Sequence, residues 1–292
     1  MKEDKAPVRR APPGACDVHF HVFGDPARYP YRDPKLRYVP PIAPLESYLQ
    51  TAAAIGIERF VIVQPSAYGR DNDCMLDAMD TLADRARGIV DIDDDASDAL
   101  FDALHARNVR GIRINVSPVH PFEAGLAERL TARVDALEPK CAARGWSLDF
   151  LLPGWLTDAM LPRMARLRVD HTLAHLGMFL AKDGPSQPGF RRLIDQVANG
   201  SGHTWVKLTG FYRISRAEGY EDVVPMVRAL VDARVDRLVW GSDDPHLSFA
   251  HETGSVSLYD LFCRAAGEGA LKTILVDNPA RLYGFGPVGS GT

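Results

Sequence analysis

Apolar residues recur along this chain in two rhythms that alternate from one end to the other. Runs with strand character lie at Ala15–Phe20, Arg59–Gln64, Gly88–Ile92, Val109–Val116, Trp146–Leu152, Val169–Ala174, Thr204–Thr209 and Arg237–Gly241. Stretches of helical period lie at Leu45–Ile55, Asn72–Arg87, Ala96–Asn108, Ala124–Arg144, Asp158–Arg168, Gly189–Ala198, Asp222–Ala233 and Val256–Ala266. In Asp222–Ala233, for example, Val223, Met226, Val227, Leu230 and Val231 form the stripe of an amphipathic helix. Pro44 suits a first helical turn, and Thr157 before Asp158 reads as an N-cap. Strands alternating with helices, with no linker between halves, predict an α/β fold: a closed (β/α)8 TIM barrel as a single domain. Its expected span is 15–285, with flexible tails at 1–14 and 286–292.

A doubly wound open sheet is the rival architecture. It would place a Gly-rich turn after the first strand, where this chain has Phe23-Gly24-Asp25-Pro26, and no G-x-G-x-x-G or P-loop follows any predicted strand. The irregular stretch from Gly24 to Ala43 is long for a structureless loop, and in a barrel it would fold over the mouth. The length of 292 residues, 46% hydrophobic and 25% charged, suits a globular barrel. A net charge of −4 without a Lys/Arg-rich run argues against nucleic-acid and membrane-surface partners. The first fourteen residues carry basic residues and prolines and have the pattern of neither a signal peptide nor a membrane span. The four cysteines form no C-x-x-C pair, so free thiols and a cytoplasmic location are expected. Cys74 has no evident base to activate it as a nucleophile.

The chemistry concentrates at predicted strand ends. In Asp17-Val18-His19-Phe20-His21 a regular strand would put Asp17, His19 and His21 on one face and Val18 and Phe20 on the other. Two converging imidazoles can bind metal or move protons, whereas an H-x-H on an edge strand can also be mere surface polarity. Strand four would turn Gly111, Arg113 and Asn115 inward, and an inward arginine is costly without an anionic partner. Strand six ends in His175-Leu176-Gly177 and strand eight in Gly241-Ser242-Asp243-Asp244. Taken singly, His175 could be a core histidine, Arg113 a structural ion-pair partner and Asp243 a turn residue. Together, at the ends of strands one, four, six and eight, they describe the mouth of a barrel enzyme. His105, His171 and His203 sit on a helix or at strand starts, while His120 and His246 follow strands as second-tier candidates.

This ordered set resembles the amidohydrolase superfamily, in the branch that holds pyrone-carboxylate and sugar-acid lactonases. The matching segments are Asp17–Gly24, Arg37-Tyr38, Val63-Gln64-Pro65-Ser66, Arg110–Arg113, His175-Leu176-Gly177, Val206-Lys207 and Val239–Asp243. The resemblance implies an enzyme that opens a carboxylated lactone with water. Asp243 would be the general base, with His19, His21 and His175 around the carbonyl oxygen and the proton path. Arg113, Arg213, Tyr38 and Ser66 fall where the family holds its substrate. Met178 stands where the pyrone lactonase has an arginine, and a second arginine and a tyrosine are replaced near Val119-His120 and Leu151. Methionine cannot supply a bidentate fork, so a singly carboxylated or sugar-acid lactone is the expected anionic substrate.

The resemblance leaves metal open. His19, His21 and Asp243 would be the ligands of any divalent ion, leaving a loosely bound zinc or none as the expectation. Rival readings are a lactone isomerase, a metal-dependent decarboxylase on the same site, and a non-catalytic ligand-binding barrel. A homo-oligomer is possible on this reading.

Overall fold

The computed structural model describes residues 6–32, 36 and 38–286. Eight strands form one sheet in sequential order: β1 (Cys16–Phe20), β2 (Arg59–Val63), β3 (Ala86–Val90), β4 (Val109–Asn115), β5 (Ser147–Leu151), β6 (His171–Leu173), β7 (Thr204–Leu208) and β8 (Leu238–Trp240). Each pairs in parallel with the next. Around them run α1 (Leu45–Ile55), α2 (Asp73–Leu82), α3 (Asp98–Ala106), α4 (Leu126–Ala142), α5 (Gly154–Met164) and α6 (Pro188–Asn199). The series continues with α7 (Phe211–Ile214), α8 (Val224–Arg234), α9 (Ser255–Ala266), α10 (Glu268–Lys272) and α11 (Asn278–Tyr283). This is the expected (β/α)8 barrel. Among the described residues no helix is long and apolar enough to cross a membrane.

Strand alternation divides the core in two. Phe60, Ile62, Ile112, Ile114, Leu148, Phe150, Val206 and Trp240 face outward into the helix layer. Val18, Val61, Val63, Ile89, Trp205 and Val239 fill the barrel with Leu282, Tyr283 and Phe285, which stop its floor. Arg87 locks that stopper, donating to the carbonyls of Tyr283 at 3.1 Å and Gly284 at 2.9 Å.

The seam between β8 and β1 is closed by other means. Asp243 N–H donates to the His19 carbonyl at 2.7 Å, and His21 N–H donates to that of Asp244 at 2.9 Å. The Asp17 carboxylate accepts from the backbone of Ser242 at 3.1 Å and of His19 at 2.9 Å, and from Tyr48 of α1. Gly241 is required at this seam, because a Cβ there would lie 2.6 Å from that of His19.

Three local expectations need correction. Asp17 does not share a face with His19 and His21. The β1–β2 register slips between Asp17 and Phe20, and this bulge leaves Val18 and His19 both turned inward, with Asp17 and Phe20 outward. The helix predicted over 72–87 ends at Leu82, and β3 begins at Ala86, because Arg87 is needed on the barrel floor. Thr157 is no N-cap: α5 starts at Gly154 after Pro153, and Thr157 is buried one turn inside.

From Val8 onward the N-terminal segment is fastened to the barrel. Ala11 N–H donates to the Ile55 carbonyl at 2.8 Å and Gly14 N–H to Glu58 at 2.8 Å. Residues 1–5 and 287–292, parts of the two predicted tails, lie outside the described residues, as does Arg37.

Candidate active site

The end of β1 and the loops after β1, β6 and β8 bring His19, His21, His175 and Asp243 together. His175 and Asp243 both adopt left-handed backbone conformations, with φ of 52° and 60°, which are uncommon without glycine and aim their side chains inward. Gly210 after β7 makes room for His175, whose Nδ1 would lie 2.3 Å from any Cβ at that position. The His19 ring lies 5.1 Å from that of His21 and 5.2 Å from that of His175.

Asp243 is at the centre and uses its two oxygens differently. Oδ2 accepts from Tyr212 Oη at 2.5 Å and from Arg213 Nε at 2.6 Å. Oδ1 is buried without a hydrogen-bond partner, 3.6 Å from His19 Nε2 and 3.7 Å from His21 Nε2. Burial alone would raise its pKa, yet the Arg213 charge and the hydrogen bond it donates hold this carboxyl well below the usual range. It is therefore ionised at any ordinary pH.

Burial keeps the histidines neutral. It pushes the pKa of His21 down to about 4 and that of His175 to about 3, and lowers that of His19 strongly. His21 Nδ1 lies 2.7 Å from the Val63 carbonyl oxygen, which can only accept. The proton of His21 is thus on Nδ1, and its Nε2 presents a lone pair to the site.

Arg113 enters from β4 and is 5% exposed. One Nη donates to the Gln64 carbonyl, while Nε is buried without a partner. Among the described residues no carboxylate lies within ion-pair distance of it. Tyr38 and Ser66 meet at 3.3 Å in the loops after β1 and β2. The structure thus brings the three histidines and Asp243 into one cluster. Arg213, expected on the substrate, places its Nε on Asp243 instead. His120 is outside the cluster, paired with Glu123 at 2.9 Å, and His246 lies behind it, near Ser255 at 3.3 Å.

Three members of the site had no role in the sequence reading. Tyr212 bonds Asp243 directly, and Lys207 and Asp149 form a fully buried ion pair inside the barrel. Lys207 entered the sequence reading only within the matching segment Val206-Lys207. The alternation of Thr-Trp-Val-Lys-Leu in β7 turns it inward with Trp205 and could have given it a place in the site. Tyr212 lies in α7, a single turn after β7 that is too short for periodicity to carry information.

His19, His21 and Asp243 were the expected ion ligands, but the donors that group together are His19, His175 and Asp243, each offering an atom and all within 4.8 Å of one another. With His19 Nε2 and Asp243 Oδ1 unpartnered, this set fits one divalent ion.

The family model described as amidohydrolase matches residues 16–285. A 4-sulfomuconolactone hydrolase of Hydrogenophaga intermedia is 36% identical over 278 residues, covering 94% of this chain and 89% of that protein. A 2-pyrone-4,6-dicarboxylate hydrolase of Comamonas testosteroni is 28% identical over 290 residues, covering 95% and 92%. A D-galactarolactone isomerase of Agrobacterium fabrum is 29% identical over 299 residues, covering 97% and 95%.

Proposed function

The chain belongs to the amidohydrolase family, and from that premise we propose that it hydrolyses a small anionic lactone at the mouth of its barrel. The observation that carries this reading is the unpartnered, ionised Asp243 Oδ1, held within 3.7 Å of two neutral imidazoles. The relatives reported above, two named as lactone hydrolases and one as a lactone isomerase, support the substrate class.

In the proposed reaction a water sits between Asp243 Oδ1 and His21 Nε2, both of which accept hydrogen bonds. Its oxygen attacks the lactone carbonyl carbon as its proton passes to Asp243. The carbonyl π pair moves to oxygen, and the resulting oxyanion is held by donors at the site. When the carbonyl re-forms, the ring carbon–oxygen bond breaks, and the leaving oxygen takes the proton back from Asp243. One water is consumed and a hydroxy acid, or its tautomer, is released. Tyr212 and Arg213 hold Oδ2 so that Oδ1 faces the water. Arg113 binds the substrate carboxylate, with Tyr38 and Ser66 beside it.

Met178 and Leu151 are buried in the apolar core, which supports a single carboxylate on the substrate. An ion held by His19, His175 and Asp243 would supply Lewis-acid polarisation of the carbonyl when bound. Three cations, Arg113, Lys207 and Arg213, stand around those donors against two carboxylates, Asp149 and Asp243, and the excess positive charge opposes an added cation. We therefore propose that the reaction does not require metal.

A panel of carboxylated lactones, followed by pH-detected acid release and mass analysis of the product, tests the reading. Release of acid with gain of one water supports hydrolysis. A product of unchanged mass would point to isomerisation on the same site, and no turnover of any lactone would sink the proposal.

A further inference from the structure

Lys207 lies directly beneath His19 and is fully buried. Its ammonium group has three N–H donors and no acceptor. Three groups face it: the Asp149 carboxylate, the Val18 carbonyl oxygen at 3.2 Å and His19 Nδ1 at 3.4 Å. The first two can only accept. If Nδ1 carried a proton, the positive end of its N–H dipole would point at a fully buried cation, where electrostatic repulsion is strong. With the lone pair on Nδ1, every donor of the ammonium is matched. Asp149 is itself anchored by Thr172, which donates to its Oδ2 at 2.7 Å.

We infer that Lys207 is a positioning residue that fixes the proton of His19 on Nε2, making the two histidines of His19-Phe20-His21 chemically opposite. His19 Nε2–H is a donor, whereas His21, whose Nδ1–H is taken by the Val63 carbonyl, offers a lone pair. Both Nε2 atoms face the same oxygen of Asp243, yet only one of them can stabilise a developing oxyanion. The other can only accept from water. The H-x-H pair thus separates the two duties of ester hydrolysis, one ring holding the nucleophile and one holding the negative charge. An ion taking His19 Nε2 as a ligand would have to expel that proton.

The tautomers rest on the resting protein alone; their catalytic consequence rests on the lactone reading proposed above. The test is a long-range proton–nitrogen correlation spectrum of the full chain labelled with nitrogen-15 histidine. Signals are assigned by His19→Gln and His21→Gln. The expected result is a proton on Nε2 of His19 and on Nδ1 of His21. A wild-type His19 protonated on Nδ1 overturns the inference.

Removing Lys207 alone would strand the buried Asp149 charge, so the informative variant is the double Lys207→Met/Asp149→Asn. In it the His19 proton should redistribute toward Nδ1. Loss of an oxyanion donor should then lower kcat by about 100-fold with little change in KM. A double variant whose His19 keeps the wild-type tautomer, or whose kcat is unchanged after the tautomer shifts, refutes the role of Lys207. If the wild-type protein turns over no lactone, the functional reading fails, and the spectra still decide the tautomer.

Discussion

At the scale of single residues, the two oxygens of Asp243 divide the work. Asp243→Asn keeps the shape and removes the proposed base, so turnover should fall at least ~100-fold, the lower end of a general-base contribution. Asp244→Asn should be far milder, since that carboxylate accepts from Ser255 at 2.9 Å, on the side of His246 and outside the cluster of His19, His21 and His175. The reverse ranking would assign the base to the wrong neighbour. The pH profile follows from burial. His21 is neutral above its lowered pKa of about 4 and protonated below it, while Asp243 stays ionised over the same range. Activity should therefore hold flat through the ordinary imidazole range near pH 6.5 and fall only near pH 4; an acid limb near 6.5 would contradict this. Arg113→Met should raise KM for an anionic lactone by roughly 10-fold or more, as expected for one charged hydrogen-bonding partner, and leave the neutral ester nearly unaffected. Equal damage to both substrates would make Arg113 structural. Dialysis against a chelator should leave lactone opening intact at substoichiometric metal. Activity that vanishes and returns with added zinc would make His19, His175 and Asp243 ion ligands first.

At the scale of elements, the eight strands were legible because each pairs an outward apolar face with an inward one of mixed character. The inward Arg113 followed from the same alternation, whereas His175 and Asp243 lie just past β6 and β8 and were legible only as polar residues at predicted strand ends; the left-handed backbone that aims them inward was not. The bulge in β1 was not legible. It depends on the Asp17 carboxylate bridging to β8 and to Tyr48, partners remote in sequence, and no local pattern announces it. The early end of α2 is similar, since Arg87 belongs to the floor only once α11 is in place. The ion pair of Lys207 with Asp149 also joins strands far apart in the chain. The Asp17 seam carries its own prediction. Burial raises the pKa of Asp17 to about 6, so the folded state holds its proton more tightly than the unfolded chain does. That contribution to stability is present in full below the unfolded value near 4 and is lost as pH rises through about 6. Asp17→Asn should be less stable and should lose this part of the slope in denaturant melts across that window. An unchanged slope would show that Asp17 is not the titrating group.

At the scale of the whole molecule, the barrel has a floor and a mouth that differ in kind. Tyr283 and Phe285, with Trp205 above them, leave no passage at the lower end, and Arg87 grips the backbone that carries them. Traffic therefore runs through one doorway. A ring-opened acid leaves by the route the next lactone must take, and on the proposed reading it still carries the carboxylate assigned to Arg113. Product and substrate are thus rivals for the same vacancy. The hydroxy acid should inhibit competitively, raising apparent KM with its concentration while leaving kcat untouched. Noncompetitive inhibition in initial-rate measurements would mean that the acid binds somewhere other than the substrate's place. A cell using such an enzyme would need to draw the acid away promptly, because accumulation alone would slow its formation.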